Sequence, residues 1–182
     1  MLIVYVAHPI GGNVTVNMAS VKAIVDRMFN DRPEVYPIAP YLFALERLDD
    51  SKAEDRRRGI AINKLYFDRR FIDEVWLFGN RVSSGMWEEV RWARRLRIPV
   101  VPMNNKVLLS LIRKELTPGD RMTLIGSSHQ QKTLATYLGE MKDGNGIYAR
   151  NHIHPLLDLS WGDIAHIDPL HGTLPHCFRD AA

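Results

Sequence analysis

Cysteine is almost missing from this chain. Its single copy, Cys177, cannot close an internal disulfide, so a reducing compartment such as the cytoplasm is expected. Long apolar runs are missing too. The N-terminal stretch Leu2 to Ala7 is far shorter than the roughly 20 residues of a membrane span, and no basic residues precede it as they would in a signal peptide. There is no internal repeat and no low-complexity linker. Nor is there a block of one charge: 24 Lys and Arg are interspersed with 21 Asp and Glu, for a formal charge of +3. That balance admits an anionic small molecule, whereas a nucleic-acid surface needs a basic stripe. Membranes and nucleic acids are therefore not the expected partners. What the chain does have is 182 residues with 46% hydrophobic content, enough for an ordinary globular core.

Leu2 to Ala7 reads as a buried strand of a parallel sheet, because almost every position is apolar. A loop with Gly11, Gly12 and Asn13 follows. It leads into a helix from about Val14 to Phe29, whose expected buried stripe is Val14, Met18, Val21, Ala23 to Val25 and Met28. Val35 to Ala39, between Pro33 and Pro40, reads as a second strand at a sheet edge. The charged run from Leu45 to Arg58 suits a solvated helix face, and Arg56 to Arg58 also suit a phosphate or carboxylate. Gly59 to Phe71 continues as helix, with Ile60, Ile62, Leu65, Tyr66 and Phe71 expected against the sheet.

The most informative stretch begins at Asp73. Val75 to Phe78 is a short β-favouring run, Gly79 to Gly85 supplies turn and cap residues, and from Met86 apolar and charged positions alternate with helical spacing. This is strand, loop and helix. In a parallel α/β sheet such a junction lies at the carboxyl end of a strand, where ligands bind and a helix N-terminus offers free N–H groups. Ser83 or Ser84 can cap the helix. Glu88 and Glu89 in its first turns admit a plain reading, as acids that complement the helix dipole.

The pattern Ser83-x-Gly85-x-x-x-Glu89-x-x-x-Ala93 after a hydrophobic strand resembles the signature of the nucleoside 2-deoxyribosyltransferase family, which includes deoxynucleoside monophosphate N-glycosidases. The resemblance covers residues 1 to about 102. It implies that Glu89 is the nucleophile that attacks C1′ of the sugar, that Gly85 lets the loop approach the substrate, and that Ser83, Ser84 and Met86 line the site. It also implies that the turn after the first strand, from Tyr5 to Pro9, lines the pocket. His8 is then either a contact to base or sugar, or a strand-end histidine, and Gly11, Gly12 and Asn13 complete the loop. Tyr41 stands where a branch of that family has His; an aromatic ring there can stack on a base or cover the core.

Cleavage of an N-glycosidic bond needs help for the departing base as well as an attacking carboxylate. The family's helix acid would fall near Leu65, which cannot serve, so Asp68 and Asp73 are the substitutes, with His8 as the acid if neither reaches the pocket. The resemblance further implies a homo-oligomer and needs no cofactor. The expected ligand is a nucleoside or nucleoside 5′-monophosphate, hydrolysed or transferred. The other readings are a nucleotide-binding module without turnover and an oligomer-forming interaction protein.

Beyond residue 102, Val107 to Leu116 reads as an amphipathic helix, Met122 to Ile125 as a strand, and Thr133 to Met141 as a helix. The turn at Gly126 lacks the glycine spacing of a P-loop. The tail holds His152, His154, His166, His171 and His176 among Asp158, Asp163 and Asp168 but shows no fixed ligand spacing, so no metal site is assigned. Its prolines and glycines suggest a loop-rich appendage over 143–182, anchored by Trp161 and Phe178, beside a ligand-binding domain over 1–142. The expected architecture is a three-layer α/β fold of the flavodoxin or Rossmann kind, with a mostly parallel five-stranded sheet and helices on both faces.

Overall fold

The computed structural model describes residues 1–49, 51–118, 121–126, 132–142, 146–151, 156–160 and 164–169. Within it the apolar run Leu2–Ala7 forms β1, whose residues Val4 to Ala7 are fully buried. Val35–Ile38 forms β2, Glu74–Leu77 forms β3 and Val100–Pro102 forms β4. They make a parallel four-stranded sheet in the order β2-β1-β3-β4. The register is set by Leu2 opposite Val35 on one side and Val4 opposite Glu74 on the other. Pro37 has no N–H to give a second neighbour, and β2 is an edge strand that does not need one.

Helix α1, Val14–Asp31, is capped by Asn13, whose Oδ1 accepts the Val16 N–H at 3.2 Å. It packs on β2 and buries Val21 and Met28, while Val14 and Ala23 of the expected stripe are exposed. Helix α2, Pro40–Leu45, starts on proline, which is preorganised for a first turn, and packs against α3, Ala53–Asp68. Helix α3 corrects the expected packing of residues 59–71. Ile60, Leu65 and Phe71 are exposed, and Phe67 is the fully buried residue, with its ring 5.0 Å from Tyr5 and 5.4 Å from Trp92. The helix stops where Arg70 takes a φ of 55°, a left-handed turn that an L residue adopts only at a cost. Helix α4, Ser84–Arg95, packs against β3 and α3.

The chain divides into two compact units, Met1–Val100 and Val101–Ala182. In the second, α5, Asn105–Glu115, is capped by the Asn104 side chain. The strands β5 (Arg121–Gly126), β6 (Lys132–Glu140), β7 (Gly146–Arg150), β8 (Leu157–Ser160) and β9 (Ile164–Pro169) form an antiparallel sheet in the order β8-β7-β6-β5-β9. Three expectations are corrected here. The strand at Met122 belongs to this second sheet, so the parallel sheet has four strands and not five. Residues 133–141 are not a helix: Leu134 and Leu138 mimic helical spacing, but Ala135 and Tyr137, two residues apart, are both buried in the strand pattern. The described part of 143–182 is strands, not loops, and β6 and β7 pair across the boundary expected at 142. Leu108, Ile112, Leu116, Tyr137, Ile147 and Ala149 form this unit's core.

Candidate functional site

The sequence of α4 determines the chemistry of the site. Met86, Glu89, Val90 and Ala93 fall at i, i+3, i+4 and i+7, and all four are buried. They are one apolar stripe with a carboxylate set into it. Glu88, one position around the helix, is half-exposed and pairs with Arg91. The two adjacent glutamates are therefore different groups. Glu88 has the ordinary solvated role, whereas Glu89 is 9% exposed and pairs with no cation among the described residues.

Its partner is a phenol. The Tyr5 hydroxyl, on fully buried β1, donates to Glu89 Oε1 at 2.6 Å. That bond favours the ionised carboxylate, but loss of hydration outweighs it, and Glu89 is pushed up from 4.5 to about 7. Burial, and after it the same carboxylate, pushes the Tyr5 and Tyr41 hydroxyls up, so both remain protonated donors. Tyr41 donates to the Val6 carbonyl at 2.8 Å, which fixes its ring 6.0 Å from that of Tyr5. Oε1 of Glu89 is thus occupied, and the second oxygen is left for whatever enters the cavity.

Glu89 lies in the wall of a cavity of about 530 Å³, within the size range of pockets that enclose small organic ligands. The loop after β1 contributes His8, Pro9, Ile10 and Gly11; the loop after β3 and the start of α4 contribute Arg81 to Met86. The third side is α3, through Asp55, Arg56, Gly59, Ile60 and Asn63, a single helical face, with Tyr41, Ala44 and Leu45 of α2 beside it. The parallel sheet explains the meeting of the first two loops. Both β1 and β3 end there as neighbours, so their carboxyl-end loops must lie side by side.

Of the residues marked in the sequence, the fold brings together Glu89, His8, Gly11, Tyr41, Ser83, Ser84, Gly85 and Met86 on this wall, with Tyr5 directly behind Glu89. Ser83 is the cap, its hydroxyl oxygen accepting the Met86 N–H at 3.3 Å. Gly12 and Asn13 continue the same loop but do not line the cavity. Asp68 and Asp73 are corrected. Asp68 is held on the α3 surface by Lys64, and the Asp73 carboxylate accepts the Ile3 N–H at 2.8 Å, tying β1 to β3. Neither belongs to the wall.

Asp55, Asn63 and Arg81 were not singled out in the sequence. Their signal was available for α3, since 55, 59 and 63 recur at helical spacing, but only knowledge of which face meets the cavity selects them. The Asn63 Oδ1 is buried with no hydrogen-bond partner among the described residues. No group of three or more His, Cys, Asp or Glu residues suited to a metal ion occurs among the described residues. The tail histidines and aspartates, with Trp161, Cys177 and Phe178, lie outside the described residues or have side chains outside them. Among the described residues no helix is long and apolar enough to cross a membrane.

The two loops also touch through Gly79. It has a φ of 91°, and a Cβ there would stand 2.7 Å from Pro9 Cδ. Gly79→Ala is therefore expected to lower stability by about 1–3 kcal/mol, from backbone strain and the forced retreat of Pro9. The urea unfolding midpoint checks it.

A family model described as a domain of unknown function (DUF7768) matches residues 2–103, a span that holds the parallel sheet and the whole cavity wall. No curated protein and no solved structure matches the chain.

Proposed function

We propose that this chain, which belongs to the DUF7768 family, cleaves the N-glycosidic bond of a nucleoside or nucleoside 5′-monophosphate through Glu89. One observation carries the reading. A carboxylate sits on the buried stripe of a helix, hydrogen-bonded to one buried phenol and facing a half-open cavity at the carboxyl ends of two parallel strands. A carboxylate kept poorly solvated is a stronger nucleophile than one in water. With Oε1 fixed by Tyr5, Oε2 is free to attack an anomeric carbon and form a glycosyl ester, which water or a second base then resolves.

The rest of the wall suits such a substrate. Arg56, Arg81 and the N-terminal end of the α4 dipole favour an anion such as a 5′-phosphate. Ile10, Val14, Leu45, Leu48 and Ile60 supply apolar surface for the flat faces of a base. The motif around Glu89 is similar to that of the 2-deoxyribosyltransferase family, and hydrolysis of a monophosphate is favoured by the two arginines.

The test is direct. The protein is incubated with nucleosides, deoxynucleoside 5′-monophosphates and NAD, and free base is followed by chromatography. Release by wild type that is lost in Glu89→Ala supports the reading; tight binding of a nucleotide with no release in any reaction replaces it with a binding module. Glu88→Gln supplies the control. Because Glu88 is solvent-paired with Arg91, base release is expected to stay within about twofold of wild type.

A further inference from the structure

We infer that His8 is the group that handles the departing base: its Nε2–H protonates the base as Glu89 attacks, and the same nitrogen recovers a proton from water in the second step. The inference rests on the glycosidic reading above and adds the residue that reading lacks.

The argument begins with what the wall offers as a proton donor. The aspartates marked in the sequence, Asp68 and Asp73, are elsewhere. The Asn63 amide has no proton to transfer at neutral pH, and the guanidinium groups of Arg56 and Arg81 hold theirs. The Tyr41 hydroxyl is committed to the Val6 carbonyl. The Ser83 hydroxyl serves as the α4 cap, and the Ser84 hydroxyl on the same wall is an alcohol, far too weak an acid to give up its proton. Two groups remain besides Glu89. Asp55 has its Oδ2 bound by the Asp49 N–H, an anchor for the loop that precedes α3. His8 has no such commitment at its second nitrogen among the described residues.

The imidazole is oriented by its first one. His8 Nδ1 lies 2.8 Å from the Pro9 carbonyl oxygen. A carbonyl can only accept, so Nδ1 must carry hydrogen, and Nε2 becomes the nitrogen that gains and loses a proton. Position agrees with that role. His8 follows β1 and Glu89 belongs to the helix after the adjacent β3. That nitrogen lies toward Gly79 at the start of the β3–α4 loop, 3.5 Å from where a side-chain carbon of residue 79 would stand.

The step balances as follows. Glu89 Oε2 forms a bond to C1′ while the C1′–N bond breaks, its electron pair moving into the base ring, which takes the proton from His8 Nε2. The products are neutral base, neutral His8 and a glycosyl ester on Glu89. Water oxygen then bonds to C1′, the ester C1′–O bond returns its pair to the carboxylate, and the water proton goes to Nε2. One water is consumed and both side chains are restored.

Leaving-group chemistry tests this. A purine nucleoside monophosphate needs its base protonated, whereas the N7-methylated analogue carries a cationic base that departs neutral. In single-turnover base release, which reports the first step alone, His8→Gln is expected to lose about 10²–10³-fold on the ordinary purine. On the methylated substrate it is expected to stay within about threefold, corrected for spontaneous hydrolysis. Retention on the methylated substrate also shows that the variant is folded. Equal loss on both substrates in His8→Gln and His8→Asn, with unfolding midpoints unchanged, overturns the assignment. So does no loss on either, or a leaving-group-dependent loss in Asp55→Asn instead. Wild type that releases base from neither substrate fails the glycosidic reading itself, and His8 with it; release from both with the His8 variants unaffected fails His8 alone.

Discussion

Glu89→Gln is expected to lower steady-state base release by about 10⁴-fold or more, with substrate affinity little changed. The amide keeps the shape of the carboxylate and can accept the Tyr5 hydroxyl, so the loss isolates nucleophilicity from packing. In the wild type only the ionised form attacks. Because burial pushes Glu89 up to about 7, kcat/KM should rise about tenfold per pH unit well to the acid side of that value, and that rise should end as Glu89 becomes ionised. Tyr5→Phe removes the one hydrogen bond that favours the charge, which moves the limb to higher pH. Steady-state kinetics across pH 5 to 9 measures both.

The same carboxylate should make the folded state weaker at alkaline pH. Below pH 4.5 Glu89 is protonated folded and unfolded; between 4.5 and about 7 only the folded state keeps the proton, so unfolding releases it and rising pH favours unfolding. Above about 7 the loss is complete. A rise from 4.5 to about 7 corresponds to about 3 kcal/mol of stability present at pH 4 and absent at pH 8. Glu89→Gln has no such proton to lose, so it should equal wild type near pH 4 and exceed it by about 3 kcal/mol at pH 8. The difference between the two urea unfolding free energies, followed with pH, cancels every other titrating group. A difference that does not change between pH 4 and 8 contradicts the burial of an ionisable carboxylate at this position.

This reading of Glu89 was largely present in the chain itself. An unbroken apolar run marks β1, and the 3.6-residue stripe of α4 places Glu89 with Met86, Val90 and Ala93 and leaves Glu88 off it, a distinction of one position that spacing alone can make. The far wall was legible only at Arg56, one of three arginines marked in the sequence as suited to a phosphate. Asp55, Arg56 and Asn63 reach the cavity because α3 packs on α2 and α4, contacts between segments that no local pattern encodes. Not legible either was the exposure of Leu65 and Phe71, where apolar residues stay on the surface of a helix that buries Phe67 instead. In the second unit, Leu134 and Leu138 imitated a helix because two residues four apart satisfy either period. Pairing with β5 and β7, the elements just before and after it in the chain, decided for the strand.

Trapping the covalent intermediate tests the central assignment most directly. A 2′-fluoro nucleoside monophosphate slows both steps by withdrawing electrons from the developing oxocarbenium ion, so the ester should accumulate. After incubation and tryptic digestion, the peptide from Val82 to Arg91 holds both glutamates of the motif, and fragmentation separates them. The expected result is a fluoro-sugar phosphate on Glu89 and an unmodified Glu88. Base release with an unmodified peptide, or an adduct on another carboxylate, contradicts it.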